Sequence, residues 1–440
     1  MRPISQRRDV ALKMARAAIE AADPEVSVRG VVRSDDDGIA IGDWSASWDD
    51  IDRVIVVGAG KAACPMARAI EDLLDEHIDA GVVVTKDGSV EPTHRVRVRV
   101  AAHPVPDQRG VDATNEILEL ISDLDECDLV VVLLSGGGSA LLVAPADGIS
   151  LDDKQITTNA LLASGATIHE INAVRKHLSR VKGGQLARAC APAIVVTLAL
   201  SDVIGDPLDV IASGPTVADT STYADALAVI DRYEIVEKVP ASVVERFRRG
   251  AAGDLPETPK PGDDVYRRGV VRIVGSNNTA LTAAADAARV NGYEPCVLTS
   301  SLRGEAREVA KVVVAIAEGV ANEDRPCALI CGGETTVTLG SNPGTGGRNQ
   351  ELALAAALEI EGRDDIVVLS VGTDGTDGPT DAAGGIVDGE SARRAREAGL
   401  DVRDALRRHD AYPLLAEIGD LVVTGPTGTN VMDVVIVLVG

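Results

Sequence analysis

The feature that most constrains the fold is an alternation of short apolar runs with segments of helical periodicity along nearly the whole chain of 440 residues. Strands that alternate with helices predict a mostly parallel sheet covered by helices. Ligands of open α/β sheets bind beyond the carboxyl ends of the strands. Small, polar or charged residues follow six of the apolar runs at once, which predicts a large polar site: 53–57, 128–134, 193–200, 270–274, 327–331 and 365–371.

The length predicts two domains, because 440 residues exceed one ordinary hydrophobic core. The stretch 248–264 concentrates Pro, Gly and Asp without periodicity, which is typical of a linker. We therefore predict an N-terminal α/β domain over residues 1–245 and a C-terminal α/β domain over residues 265–440, each with a mostly parallel, Rossmann-like sheet. The last apolar run, 433–440, could pair in either sheet.

The charge restricts the environment and the partners. The chain carries 68 acidic and 43 basic residues, a net charge of −25, with only nine lysines. Such a surface is expected of a protein adapted to high salt, because salt screens the repulsion among its own charges. The alternative is an acidic enzyme that works at ordinary salt concentrations. Nucleic acid is a poor partner for it. We expect a cytoplasmic protein with no membrane partner, because no apolar stretch approaches the ~20 residues of a membrane span and no signal-peptide core is present.

The cysteines and histidines do not form a metal-binding pattern. The six residues of each type are scattered, and no CxxC or paired histidine motif accompanies Cys327 and Cys331, which share a predicted strand. We expect the cysteines to be small, reduced core residues and predict no metal site built from His and Cys.

The turn 58–63 reads GAGKAA directly after a predicted strand and matches the lenient dinucleotide pattern G-x-G-x-x-A. A nicotinamide-dependent enzyme is therefore one hypothesis, although Asp87, which follows Lys86, matches the expected ribose-binding carboxylate weakly. Lys61 would crowd a pyrophosphate, so we interpret it as a ligand of a phosphate or carboxylate; a solvent-exposed turn lysine is the alternative. The absence of G-x-x-x-x-G-K-[ST] excludes a P-loop.

Three consecutive glycines, Gly136 to Gly138, lie between Ser135 and Ser139 where the run 128–134 ends. Glycine loses the most conformational freedom on folding, so a triple glycine in an ordered region is costly. It predicts close approach of the backbone to a bulky group, most often a phosphate. A flexible loop is the simpler alternative for the cluster taken by itself.

The segment 166–187 opens with a capping box at Thr167 and predicts a helix that runs to a pair of glycines. Asn172, Lys176 and Ser179 recur at i, i+4 and i+7 on one face. By spacing alone, a polar stripe of this kind is expected to face water.

Asp202 follows the predicted strand 193–200 and precedes the small-residue turn 213–216. An aspartate there can cap the next helix. It can equally hold Mg²⁺ or accept a substrate proton. Both interpretations stay open.

In the segment 342–360, two glycines and Arg348 lead into an alanine-rich helix that begins near Asn349. A helix N-terminus presents free amides and a partial positive charge to an anion. An arginine beside it predicts a phosphate or carboxylate clamp.

The glycine-rich loop 372–381 follows the sixth predicted strand and carries three aspartates. It is not an EF-hand, because the spacing and the glutamate are absent. We predict that one or two of its carboxylates, Asp374 and Asp377 above all, bind Mg²⁺ or a polyol. Turn-forming aspartates are the alternative.

Taken together, these segments resemble the type II glycerate kinases, whose second half is the family known as MOFRL. The resemblance implies ATP- and Mg²⁺-dependent phosphorylation of D-glycerate to 2-phosphoglycerate, in a cleft between two α/β domains. Members have also been labelled hydroxypyruvate reductase, so an NAD(P)H-dependent reductase and a non-catalytic sugar-acid binding protein stay as alternatives. The matching stretches follow in order along nearly the whole chain: GAGKAA, LSGGGSALL, INAVRKHLSRVKGGQLA, LSDVIGDPLDVIASGPT, GGETTVTL, GTGGRNQELALAAA, GTDGTDGPTDAAGG and TGPTGTNVMD.

The resemblance also implies roles for residues. Lys61, Asp202 and Arg348 would form the catalytic set. Glycerate and ATP would be the small-molecule partners, and a homodimer is one expected assembly. Which turn holds the nucleotide and which holds glycerate is left open. Phosphate or substrate contacts would come from Ser135, Gly136, Gly137, Gly138, Ser139, Asn172, Lys176, Ser213, Gly214, Asn277, Gly333, Glu334 and Asn349.

Overall fold

The computed structural model describes residues 3–321 and 325–440. The chain divides into two compact units. The N-terminal unit comprises residues 27–201 and 206–274, and the C-terminal unit comprises the chain up to Val26, residues 202–205 and residues 275–440. These units differ from the predicted domains, 1–245 and 265–440. The first helix packs with the C-terminal unit, which sequence periodicity cannot show, and the boundary lies at residue 274.

All six predicted strands are present in the structure. The strands are β1 Val32–Ser34, β2 Gly38–Ile41, β3 Trp44–Ser47, β4 Arg53–Ala59, β5 Ile78–Lys86, β6 Val96–Ala101, β7 Asp128–Leu134, β8 Ile194–Leu200, β9 Val270–Gly275, β10 Glu294–Leu302, β11 Cys327–Gly333, β12 Ile366–Gly372, β13 Gly384–Asp388, β14 Leu421–Val422 and β15 Asp433–Val439.

The α-helices alternate with the strands as the sequence predicts. They are α1 Ile4–Ala21, α2 Pro24–Arg29, α3 Ala63–Leu74, α4 Gln108–Leu120, α5 Gly138–Leu141, α6 Leu151–Ser164, α7 Ile168–His177, α8 Gln185–Cys190, α9 Tyr223–Arg232, α10 Ala241–Ala251, α11 Asn277–Val290, α12 Ala306–Val320, α13 Arg348–Glu359, α14 Ser391–Glu397, α15 Val402–Arg408 and α16 Ala411–Glu417.

The main sheet of the N-terminal unit has the strand order β6-β5-β4-β7-β8-β9. The pairs from β6 to β8 are all parallel, as predicted. Strands β7 and β8 are buried at every residue, as expected of parallel strands covered on both faces. Parallel neighbours end at the same edge of the sheet, so the turns after β4, β7 and β8 lie together.

The sheet of the C-terminal unit has the order β10-β11-β15-β12-β13-β14. Strand β15 runs antiparallel to both β11 and β12, and of the pairs described only β10 with β11 is parallel. The prediction of a mostly parallel sheet is therefore wrong for this unit, although both units are α/β. A fully buried strand reads as an apolar run whichever way it points, so the sequence could not show the reversal.

The helix predicted over 166–187 is shorter than expected. Its capping box is confirmed, because the Thr167 side chain accepts the N–H of Glu170, but α7 ends at His177. The stripe predicted to face water is instead buried: Asn172, Lys176 and Ser179.

The cysteines only partly follow the prediction. Cys64, Cys190 and Cys331 are buried, whereas Cys296 is exposed on β10. Strand β10 lies at the edge of its sheet, and none of its residues is buried. Within the described ranges, no helix combines the length and the apolar character needed to cross a bilayer.

Candidate active site

In the N-terminal unit, the two predicted motif turns are hydrogen-bonded to each other. Strands β4 and β7 are parallel neighbours, which brings GAGKAA beside SGGGSA. The backbone N–H of Lys61 donates to the Gly136 carbonyl at 2.8 Å. The N–H of Ala62 donates to Ser135 Oγ at 3.0 Å. Ser135 therefore fixes the turn after β4 rather than pointing at a free site.

Two of the three glycines are needed where the backbone passes other protein atoms. Gly137 has φ of 82°, in the left-handed region. A Cβ on Gly137 would lie 3.0 Å from the His103 ring, and one on Gly138 would lie 2.9 Å from Ala212 Cβ. Close packing within the protein thus explains why two of the three consecutive residues are glycines.

The same turn also holds unused hydrogen-bond donors. The N–H groups of Gly136, Gly137 and Ser139 have no acceptor among the residues that the structure describes, and neither does the Lys61 ammonium group. The His103 ring adjoins them, and burial together with Lys61 and Lys86 lowers its pKa. Amides and an ammonium without acceptors form a site for an anion.

His103 was missed by the sequence analysis. No motif marks it, and it reaches the glycine turn because it follows β6, which is two strands away from β4 in the sheet. Only the strand order could have indicated it.

Three of the predicted residues, Ser139, Ser213 and Asn172, are linked to one another by hydrogen bonds. Ser139 Oγ and Ser213 Oγ are 2.8 Å apart, and Ser213 Oγ donates to Asn172 Oδ1 at 3.3 Å. Asn172 Nδ2 is buried and has no partner within the described residues. Ala212, Ser213 and Gly214 have φ of 49°, 63° and 61°. Two consecutive non-glycine residues in this region are strained, which is common at functional sites.

Lys176, a predicted substrate contact, is engaged inside the protein. Its Nζ lies 3.2 Å from Asp219 Oδ1 and 3.4 Å from Asp209 Oδ2. An ammonium that already has two carboxylates attracts a further anion weakly.

Lys182 was not predicted but supports the site. Its Nζ donates to the carbonyls of Ser139 at 2.8 Å and Leu142 at 3.2 Å. Burial, with Arg175 and Lys154 nearby, lowers the pKa of Lys182 well below its ordinary value. These bonds hold α5 and so fix the direction of the free amides before it.

In the C-terminal unit, Arg348 is bound by two carboxylates. Its Nε and Nη2 donate to the two oxygens of Asp433 at 2.6 and 2.9 Å, and its Nη1 lies 3.0 Å from Glu334 Oε1. Burial opposes the charge of Arg348, but the hydrogen bond to Asp433 and the negative charges of Asp433, Glu334 and Asp377 together outweigh it, so the pKa is raised. Asp433 was missed because its position depends on the reversed direction of β15, which sets its first residue beside Gly333 and Gly372.

The sequence predicted a free N-terminus for helix α13. In the structure this N-terminus is capped. The Asp377 carboxylate accepts the N–H of Asn349 at 3.1 Å and the N–H of Gln350 at 2.8 Å. Burial raises the pKa of Asp377 to about 6, which the two N–H groups partly oppose. The positive end of this helix is therefore already paired with an internal anion.

Two predicted asparagines act as tethers. Asn349 Nδ2 donates to Asp433 Oδ1 at 3.0 Å and to Asp377 Oδ1 at 3.3 Å. Asn277 Nδ2 donates to the carbonyls of Val431 at 2.8 Å and Asp433 at 3.0 Å. Asn349 therefore positions the two carboxylates, and Asn277 positions the backbone at the start of β15.

Carboxylates dominate this edge of the C-terminal sheet. Glu334 follows Gly333, which ends β11 with φ of 143° against the backbone of Leu302. Burial raises the pKa of Glu334, Arg348 lowers it, and the charges of Asp433, Asp202 and Asp374 raise it further. Oxygen ligands at a negative site suit a divalent cation such as Mg²⁺, which commonly takes one or two carboxylates beside phosphates.

A cavity of about 630 Å³ opens at the same edge. Arg348, Glu334 and Asp377 line it, together with Arg303 and His409. The structure thus brings together the predicted residues of each unit, those around the Lys61 turn in one and those around Arg348 in the other.

Comparison with known proteins gives a family for both parts of the chain. Residues 10–248 match the family described as "Domain of unknown function (DUF4147)", and residues 327–433 match the MOFRL family. The chain is 44% identical to a glycerate 2-kinase of Pyrococcus horikoshii, over 98% of this chain and 97% of that protein. The chain belongs to the type II glycerate 2-kinase family.

Two further relatives of this family member are informative. A crystal structure of a glycerate kinase from Thermotoga maritima superposes with a TM-score of 0.89 at 43% identity, covering 99% of this chain and 100% of that one. A relative from Agrobacterium vitis, 44% identical over 98% of this chain and 94% of its own length, bears the name hydroxypyruvate reductase.

Proposed function

We propose that this kinase transfers the γ-phosphoryl group of ATP to the 2-hydroxyl group of D-glycerate and releases 2-phosphoglycerate and ADP. The observation that carries the proposal is the array of free donors in the N-terminal unit: Lys61 Nζ and the N–H groups of Gly136, Gly137 and Ser139. Such an array matches a phosphate or the glycerate carboxylate. The names of the relatives support the same reaction.

The hydrogen bonds of GAGKAA favour the kinase over a nicotinamide-dependent reductase. A dinucleotide site needs free amides at the start of the helix to bind the pyrophosphate. Here the N–H groups of Gly60, Lys61 and Ala63 donate to the carbonyls of Val84, Gly136 and Gly60. The N–H of Ala62 donates to Ser135. The backbone amides that such a cofactor would use are therefore already hydrogen-bonded within the protein.

Phosphoryl transfer requires in-line positioning and neutralisation of charge more than covalent chemistry. In this proposal the Lys61 ammonium contacts the transferring group, and Asp202 accepts the proton of the glycerate hydroxyl or orients Mg²⁺. Arg348 supplies positive charge through Nη1, because Asp433 occupies its other edge. The phosphoryl group then competes with Glu334 for Nη1.

The carboxylates of the C-terminal unit fit Mg²⁺, which neutralises phosphate oxygens when it is bound. Asp374 is the better of the two predicted ligands, because among the described residues only one of its carboxylate oxygens, Oδ1, accepts a backbone N–H, that of Thr376 at 3.1 Å. Both oxygens of Asp377 accept N–H groups of α13. Glu334 and Asp202 are the other oxygen donors we assign to the ion.

The product tests the proposal. Purified protein is incubated with D-glycerate, ATP and MgCl₂, and the phosphorus NMR spectrum is followed. We expect the signals of 2-phosphoglycerate and ADP to grow together. A 3-phosphoglycerate signal would contradict the assigned hydroxyl, and ATP that stays unchanged would contradict the kinase reaction.

We also infer that the chain works at high salt. The net charge of −25 is the supporting observation, since repulsion among so many carboxylates is reduced by screening.

A further inference from the structure

The cavity of the C-terminal unit has an apolar wall that glycerate cannot use. Val337, Leu339, Pro343, Pro379 and Ala411 line it. Leu339 leaves 58% of its surface exposed, which is costly for a leucine without a ligand or partner. Glycerate is a three-carbon acid whose groups are nearly all polar, so it gains nothing from such a wall. The space of about 630 Å³ also suits a much larger molecule.

The charges of the cavity single out Arg303. Arg348 is paired with Asp433 and Glu334, and Asp377 caps α13. Arg303 lines the same cavity, is exposed, and forms no hydrogen bond or ion pair with any residue in the described ranges. It can therefore bind a phosphate without breaking an existing pair, and its planar fork matches phosphate oxygens.

The sheet places Arg303 at the edge where ligands bind. It directly follows β10, whose last residue Leu302 pairs with Gly333 of β11. The next residue after Gly333 is Glu334, which faces the same cavity. Arg303 and Glu334, one of the carboxylates assigned to Mg²⁺, thus follow neighbouring parallel strands at their carboxyl ends.

We propose that this cavity binds the nucleotide, with the base or ribose against the apolar wall around Leu339 and the phosphates on Arg303. The inference rests on the proposed function and goes beyond it, because it assigns ATP rather than glycerate to the C-terminal unit. Arg303 is then a residue that determines nucleotide affinity.

Calorimetric titration separates the two halves of the nucleotide site. ATP and inorganic tripolyphosphate, both with MgCl₂, are titrated into the full-length wild type and into Arg303→Ala and Leu339→Ala. We expect Arg303→Ala to weaken binding of both ligands about tenfold, the value of one charged hydrogen bond. Leu339→Ala should weaken ATP severalfold and leave tripolyphosphate unchanged.

Matched variants control for surface effects. Arg289→Ala removes an exposed arginine of α11 whose partner is Asp286, and Leu162→Ala removes a leucine that is 62% exposed on α6. Neither should change the affinity for ATP or tripolyphosphate. All four substitutions are at exposed side chains, so we expect them to fold, and melting curves check this.

Kinetics decide the identity of the ligand. We expect Arg303→Ala to raise the KM for ATP and to leave the KM for glycerate unchanged. A rise in the glycerate KM alone, or wild-type ATP affinity in both variants, would overturn the inference. If ATP binds with the expected pattern but no phosphoglycerate forms, the proposed function fails while the nucleotide site stands.

Discussion

Arg348 has a structural role that its position in the sequence did not reveal. Its partner Asp433 is 4% exposed, so Arg348→Ala leaves a buried carboxylate without a counter-charge. We predict a loss of about 3 kcal/mol in the free energy of unfolding and a fall in kcat of about 10³-fold, as for other arginines in phosphoryl transfer. Denaturant unfolding and steady-state kinetics measure the two effects.

A second substitution separates these effects. Adding Asp433→Asn to Arg348→Ala removes the unpaired charge, so the double variant should regain most of the stability and none of the activity. Arg348→Lys should restore little kcat, because an ammonium cannot form the bidentate pair. Activity that returns together with stability would make Arg348 a structural residue only.

Lys61 gives a cleaner test, because its ammonium has no partner among the described residues. We predict that Lys61→Ala lowers kcat about 10²-fold, the effect of removing one donor to a developing charge. The free energy of unfolding should stay within about 0.5 kcal/mol of the wild type. Lys311→Ala, which removes an exposed lysine paired with Glu308, is the control and should retain full activity. Full activity in Lys61→Ala would refute the assignment.

At the scale of elements, the capping box of α7 makes the stability depend on pH. Bonds from the backbone and then the side chain of Thr167, and from Tyr233, which directly follows α9, lower the pKa of Glu170 to about 2. Because the folded-state pKa is below the ordinary 4.5, this contribution is fully present above about pH 4.5 and is lost as the pH falls toward 2.

Urea unfolding of the wild type and Glu170→Gln at pH 5, 4 and 3 measures this contribution. The difference in unfolding free energy between the two proteins should shrink as the pH falls. A difference that stays constant over this range would show that the Glu170 charge does not stabilise the start of α7.

The elements also show what the sequence could and could not predict. The six strands, the turns that follow them and the capping box of α7 depend on local pattern, and all were predicted. The direction of β15 depends on its neighbours, and Asp433 was missed with it. His103 and Lys182 were missed for the same reason, since strand order brings His103 to Gly137 and tertiary packing brings Lys182 to α5. The free helix N-terminus predicted at α13 was wrong, because Asp377, in a different loop, caps that helix.

For the whole molecule, the charge of −25 predicts dependence on salt. Salt also screens the many exposed Arg–Asp and Arg–Glu pairs, but each of these contributes only about 0–1 kcal/mol. Net repulsion should therefore dominate, and both the melting temperature and the activity should rise from dilute buffer to molar KCl. Calorimetric melting and kcat across this range are the measurements. A melting temperature that is flat or falls would contradict adaptation to high salt.

The central claim is that this family member is a kinase, and one paired assay tests it most directly. In the first arm, protein with D-glycerate, ATP and MgCl₂ is assayed for ADP. In the second arm, protein with hydroxypyruvate and NADH or NADPH is assayed for cofactor oxidation. We predict ADP release that requires D-glycerate, and no oxidation. Oxidation of the nicotinamide without ADP release would identify a reductase and contradict the account, and turnover in neither arm would leave only a sugar-acid binding protein.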